Sequence, residues 1–203
     1  MALLSRSVDP TNLRMDRRQE LIDAASQVFY KKGYADTTLQ DIATLMNFTK
    51  PAIYYYASSK EALFLEFYEQ VVNGAIESAK AVLEVERCSK AIFTKLVESH
   101  IHTLLDNVQA NSVFDVAQGS LSSETQNRMS ELADQYTAIF KKVYEQGMQD
   151  GLLANQNPAL VVNLILGACN SAHRWYDPNG KLGASEFAHT IVSVFTLGVY
   201  PRE

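Results

Sequence analysis

Around residue 50 the chain carries one cation and three phenols within seven positions: Lys50, Tyr54, Tyr55 and Tyr56. Such a set suits contact with DNA, because an ammonium and hydroxyls reach phosphate oxygens while ring edges meet bases and thymine methyls. The plainer reading is an aromatic-rich core helix. Neighbouring residues on a helix point about 100° apart, so three consecutive tyrosines cannot all enter one core and at least one must be exposed.

Catalytic and metal chemistry finds less support. There is no Gly-x-Ser-x-Gly, no His-Glu-x-x-His, no Walker loop and no dinucleotide-binding glycine pattern. The four histidines, His100, His102, His173 and His189, lack ligand spacing with acids or cysteines, and His100 and His102 point to different faces of a helix. No metal and no cofactor are expected. Two rival readings stay open: a helical enzyme whose His–carboxylate pair such patterns miss, and a helical interaction module that has lost DNA binding.

The elements that must position the tyrosines are helices. Helical spacing is almost continuous from residue 16 and no segment alternates as a strand does, which predicts an all-α protein. A first helix is expected over Asp16–Lys32, with Leu21, Ile22, Ala25, Val28 and Phe29 on one face and Gly33 ending it. Thr37 and Thr38 each have a capping-box partner, Gln40 and Asp41, so a second helix opens there and stops near Asn47, a residue that tolerates the left-handed turn conformation. Thr49 caps a third helix with Pro51 in its first turn, ending near Ala57; Ser58 and Glu61 suggest a box opening a long fourth helix to Leu83. Further helices are expected over Ser89–Gln109, Val113–Leu121, Glu124–Asp150, Pro158–Tyr176 and Ser185–Tyr200, with breaks at Asn111, Gly151, Asn157-Pro158 and Asp177–Gly180. Two short helices joined by a tight turn and flanked by longer ones outline a helix-turn-helix, with Leu39, Ile42, Ala43, Phe48 and Ile53 inward.

Composition agrees with a globular protein. The 203 residues are 47% hydrophobic and 20% charged, enough for a buried core. The net charge of −5 divides unevenly, since residues 1–60 hold eight Lys or Arg against six Asp or Glu and the remainder is acidic. Cys88 and Cys169 stand far apart in helical stretches and read as reduced, buried thiols. The longest apolar run, Leu160–Ala168, is interrupted by Asn163, so no membrane partner is expected and the location is cytoplasmic, at the nucleoid when DNA is bound.

Residues 16–64 resemble the DNA-binding head of the TetR family of bacterial repressors. The resemblance rests on Ala24-Ala25 to Phe29, Gly33-Tyr34, Thr38, Ile42-Ala43, Tyr54 and Ser59-Lys60-Glu61-Ala62-Leu63. Departures are Asn47 in place of the usual Gly, Tyr56 where His is frequent, and Ala57 where a large apolar residue is usual. The resemblance implies that Thr38, Tyr54 and Lys60 contact phosphate, and that Thr49, Lys50, Ala52, Tyr55 and Tyr56 face bases or nearby phosphates of double-stranded operator DNA. It also implies an architecture: a flexible arm at 1–14, an N-terminal three-helix helix-turn-helix DNA-binding domain at 15–62, and a larger helical ligand-binding and dimerisation domain at 63–203.

In that larger part, a pocket for a small-molecule effector is expected among the middle helices, lined by Phe93, Leu96, His100, Leu104, Phe114, Tyr136, Phe140 and Tyr144, with Trp175 nearby. Tyr136, Phe140 and Tyr144 share a face, a stripe that is equally the mark of core. The last two helices are expected to form a homodimer bundle through Leu164, Ala168, Ala172, Ile191 and Phe195, although part of these faces must cover the subunit's own core. His173–Gly180 with Glu186-Phe187-Ala188 resembles the C-terminal region of TetR-family regulators that answer fatty acyl-CoA or related metabolites. For these residues themselves a helix end with an aromatic plug and a Pro/Gly turn is the preferred reading. The resulting expectation is a ligand-responsive transcriptional regulator, a repressor released by a small, partly apolar molecule.

Overall fold

The computed structural model describes residues 10–177 and 180–197, and among them are nine α-helices and no strand. These are α1 Pro10–Asp36, α2 Leu39–Leu45, α3 Lys50–Tyr56, α4 Lys60–Val85, α5 Ser89–Asp106, α6 Val108–Ala117, α7 Ser123–Gln149, α8 Pro158–Asn170 and α9 Ala184–Leu197. The all-α expectation holds. A helix-turn-helix head built on α1–α3 is followed by a larger helical body.

Local boundaries follow the capping chemistry, with several corrections. α1 opens at Pro10 rather than Asp16, so residues 10–14 are helical and not part of an arm; residues 1–9 lie outside the described residues. Proline suits a first turn, where its missing N–H has no helical partner to lose. At Gly33 the backbone swings to φ 77°, ψ 161° inside the Pro10–Asp36 segment, a conformation open to glycine because it has no Cβ. Of the two candidate boxes before α2, Thr38 with Asp41 forms, each side chain bonding the other's backbone N–H. Thr37 instead donates from Oγ1 to the Gly33 carbonyl at 2.7 Å.

Asn47 takes the left-handed turn as expected, φ 55°, and lets Phe48 N–H reach the Ala43 carbonyl at 2.8 Å. Thr49 caps α3 and Pro51 lies in its first turn. α4 is capped by Ser59, not Ser58, and Glu61 is free of the expected box: its carboxylate accepts from Ser122 N–H and Oγ at 2.8 and 2.6 Å, tying the start of α4 to that of α7. The break expected at Asn111 falls at Asn107, whose φ −120°, ψ 29° leaves helical geometry; Asn111 sits inside α6. α8 tightens into a 3₁₀ turn over Ser171–Arg174 instead of running to Tyr176. The end expected for the last helix, Tyr200, lies outside the described residues, as do Pro178 and Asn179 of the turn. Cys88 is exposed at the start of α5 rather than buried; Cys169 is buried in α8, and burial pushes its thiol up to about 12.

Two hydrophobic cores result. The body core gathers Phe93, Leu96, Ile101, Phe140, Val162 and Phe187. The head core joins Leu21, Phe29, Ile42, Ala43, Ile53 and Phe64 to Ala110, Phe114 and Ala117 of α6 and to Leu121 and Met129. α6 is thus a body helix by sequence position that packs into the head, against α1.

Candidate nucleic-acid interface and effector cavity

The second and third helices are held by a compact set of contacts. Fully buried Ile42, Ala43 and Ile53 seat α2 and α3 on α1, and Ala43 lets the two short helices approach closely. Lys32 of α1 pairs with Asp41 at 2.8 Å. The bonds from Lys32 and then Thr38 hold the Asp41 carboxyl down at about 2, so it remains an acceptor throughout the physiological range. A rigid α2 therefore supports α3, whose side chains Lys50, Tyr54 and Tyr55 stand exposed in one short segment.

The tyrosine triplet divides as helical geometry requires. Tyr54 and Tyr55 are 54% and 71% exposed, whereas Tyr56 is half-buried. Its ring stacks on Phe48, centroids 5.6 Å apart, and meets Tyr55 edge-on at 5.0 Å. Tyr56 thus packs the turn and braces Tyr55. Thr49 is exposed and its hydroxyl accepts from Ala52 N–H; Ala52 is half-buried; Thr38 is exposed at the N-terminus of α2.

Lys60 was expected on phosphate, yet its ammonium points into the protein. Nζ donates to the Tyr34 and Ala35 carbonyls at 2.7 and 3.1 Å and lies 4.4 Å from the centre of the Tyr34 ring. It closes the open carbonyls at the end of α1, where a cation meets the negative end of the helix dipole. Burial pulls its pKa below the ordinary lysine value.

Between α4, α5, α6, α7 and α8 lies a cavity of about 340 Å³. Of the residues expected there, His100, Leu104, Phe114 and Tyr136 line it. Phe93, Leu96, Phe140 and Tyr144 do not: they are buried in the body core, Phe93 ring against Tyr144 ring at 5.2 Å, because the 3.6-residue period turns them to the packed side. Trp175 is also outside it, 57% exposed and 5.3 Å from the Phe187 ring.

Sequence reading missed Tyr68 of α4, Thr103 of α5, Asn111 of α6, Thr137 of α7 and Asn163 and Asn170 of α8. Asn163 and Asn170 left a usable signal, being polar interruptions of an apolar helix. His100 and Tyr136, 36 residues apart, are joined by a 3.1 Å bond between Nδ1 and the phenol. Burial holds the His100 pKa down at about 4, so the ring is neutral at pH 7.

On the outer face of the body, Leu160, Leu164, Val194 and Phe195 of α8 and α9 are exposed. Ala168 is half-buried. Of the other two residues expected at the dimer interface, Ala172 is fully buried in the body core, and Ile191 is half-buried, packed against that core. Among the described residues no helix is long and apolar enough to cross a membrane, and no group of three His, Cys, Asp or Glu stands close enough to hold a metal ion.

A three-helix head thus presents an exposed aromatic and basic edge, on a helical body that holds a cavity. The pattern of bacterial regulatory proteins of the tetR family matches residues 21–67, and that of the tetracyclin repressor-like C-terminal domain matches 86–199. The chain belongs to the TetR family. It is a DNA-binding transcriptional regulator. This TetR-family chain is 23% identical over 193 residues to the transcriptional repressor KstR2 of Rhodococcus jostii RHA1, covering 94% of its own length and 95% of the relative's. It superposes with TM-score 0.77 and 34% identity on a TetR/AcrR-family regulator from Thermobifida fusca, covering 92% of its own length and all of that chain. The FadR regulator of Bacillus subtilis in complex with stearoyl-CoA shares the fold, at TM-score 0.77 and 18% identity, over 90% of this chain and 99% of that one.

Proposed function

We propose that this TetR-family protein is a homodimeric repressor that leaves its operator when a mostly apolar effector, a fatty acyl-CoA or related thioester, enters the cavity between α4 and α8. One observation carries the reading: Phe114 belongs both to the cavity wall and to the head core. A ligand that moves Phe114 moves α6, and α6 packs on α1. Coupling between the sites then requires a second position of the head that the ligand favours.

The acyl-CoA class is supported by the stearoyl-CoA complex of the Bacillus subtilis relative. Repression is supported by the naming of the Rhodococcus relative as a repressor. The homodimer is supported by the exposed apolar edge of α8 and α9, where Leu160, Leu164, Val194 and Phe195 need cover that a second copy of the same helix pair supplies. Two heads related by a twofold axis then meet successive major grooves about 34 Å apart. Such a protein works beside the chromosome, in the cytoplasm.

The test is operator affinity with and without acyl-CoAs of graded chain length, on DNA from the gene's own upstream region. A 5- to 150-fold loss of affinity, about 1–3 kcal/mol of coupling, is expected for at least one chain length. If every chain length leaves affinity unchanged, the effector class is wrong. Leu164→Glu is expected to give a monomer at micromolar concentration by light scattering, with operator binding lost.

A further inference from the structure

Resting on the effector reading above, we propose that the cavity takes an uncharged, carbonyl-bearing part of its ligand, whose oxygen accepts a hydrogen bond from His100 Nε2, and that it rejects a free carboxylate. His100 is buried, and its Nε2 has no hydrogen-bond partner of ordinary geometry, although the other ring nitrogen is bonded to Tyr136. A buried polar atom without a partner costs free energy, and His100 is a residue of the cavity lining, so a small turn of the ring offers this atom to a ligand's own polar atom.

The direction of the missing bond follows from its neighbour. The Tyr136 phenol is buried, and burial raises its pKa, so it keeps its proton and must place it. The acceptor within reach is His100 Nδ1. A neutral imidazole that accepts at Nδ1 carries its hydrogen on Nε2 and donates there.

The rest of the wall decides the charge. Among the described residues no Lys, Arg, Asp or Glu lines the cavity; besides His100 its polar groups are hydroxyls and the amides of Asn111, Asn163 and Asn170. With His100 neutral, a carboxylate would be buried without a counter-charge, and desolvation makes that unfavourable. A ketone or thioester oxygen asks for one donor and meets one. The volume, about 340 Å³, lies at the low end of small-molecule sites, so an acyl-sized body fits inside and any charged remainder of a conjugate stays outside.

Calorimetry on the full chain at pH 7.5 separates these chemistries with four probes of similar size: 2-nonanone, S-methyl octanethioate, octanoate and nonane. The ketone and the thioester are expected to bind at least tenfold more tightly than octanoate and nonane. His100→Phe should reduce the ketone to the level of nonane, and Tyr136→Phe, which frees Nδ1 to hold the hydrogen, should lower the ketone's advantage while leaving nonane unchanged. Octanoate binding as tightly as the ketone, or no binding by any probe, overturns the proposal whether or not the variants fold. Operator affinity measured with the bound ketone keeps the two readings apart. Preferential binding without loss of operator affinity leaves the carbonyl site standing and defeats effector release, whereas loss of affinity driven equally by octanoate does the reverse.

Discussion

The Phe114 ring meets the Phe64 ring edge-on, centroids 5.7 Å apart at 84°, and this pair is where the wall of the body cavity becomes the core of the DNA-binding head. Phe114 also touches Phe67 and Tyr68, at 5.1 and 4.9 Å, so one side chain of α6 is clasped by the first turns of α4. Phe64 in turn contacts Phe29 and Tyr34 of α1. A chain of rings therefore runs from the cavity to the helix on which α2 and α3 are seated.

Phe114→Leu is expected to keep the fold and the cavity while weakening communication. Losing the ring contacts costs about 1 kcal/mol for each well-formed aromatic pair. Ligand affinity should change little, but the ligand-induced loss of operator affinity should fall below fivefold. Titrating operator with and without the effector checks it; full coupling in this variant would move the pathway elsewhere.

Lys60→Met is expected to lower stability by about 1–2 kcal/mol, because the Tyr34 and Ala35 carbonyls lose a charged donor. The dependence of operator binding on salt should be unchanged. If instead the slope of log affinity against log salt shrinks by about 0.9 with stability intact, Lys60 binds phosphate after all.

The exposed and half-buried tyrosines should behave differently. Tyr55→Ala is expected to alter discrimination among operator variants by about 1 kcal/mol or more. Tyr56→Ala, by removing the ring stacked on Phe48, should destabilise the head by about 1–2 kcal/mol and weaken binding to all sequences alike. A change in base preference from Tyr56→Ala at full stability would return it to the reading set.

His100 makes stability depend on acid. Its folded pKa is depressed to about 4 from 6.5, so above pH 6.5 both folded and unfolded chains hold it neutral and nothing is lost. As pH falls from 6.5 towards 4 the unfolded chain takes up a proton that the folded chain refuses, and stability drops by roughly 2–3 kcal/mol between pH 7 and 4.5. Urea unfolding at the two values should show this fall in the native protein and a smaller one in His100→Gln. Equal falls in both would assign the acid sensitivity to other groups.

The head was legible in the sequence because its signals are local. A capping threonine with its partner three residues on, Asn47 between two short apolar repeats, and Pro51 just inside a helix all act within one turn of backbone, and the structure contains each of them. The all-helical class follows from periodicity in the same way. Other decisions depend on what arrives from far along the chain. Lys60 and Tyr34 are 26 residues apart, so no local rule brings that ammonium to the end of α1. Periodicity shows that Tyr136, Phe140 and Tyr144 share a face of α7; only packing against α5 and α8 puts Tyr136 on the cavity and leaves Phe140 and Tyr144 in solid core. The same holds for Ala172, which packs inward, and Leu164, which faces out. Local sequence determines which segments become helices and where they stop, since those energies are settled within four residues; which face of a helix meets core, cavity or solvent is set by contacts between helices, and these exist only once the chain has folded.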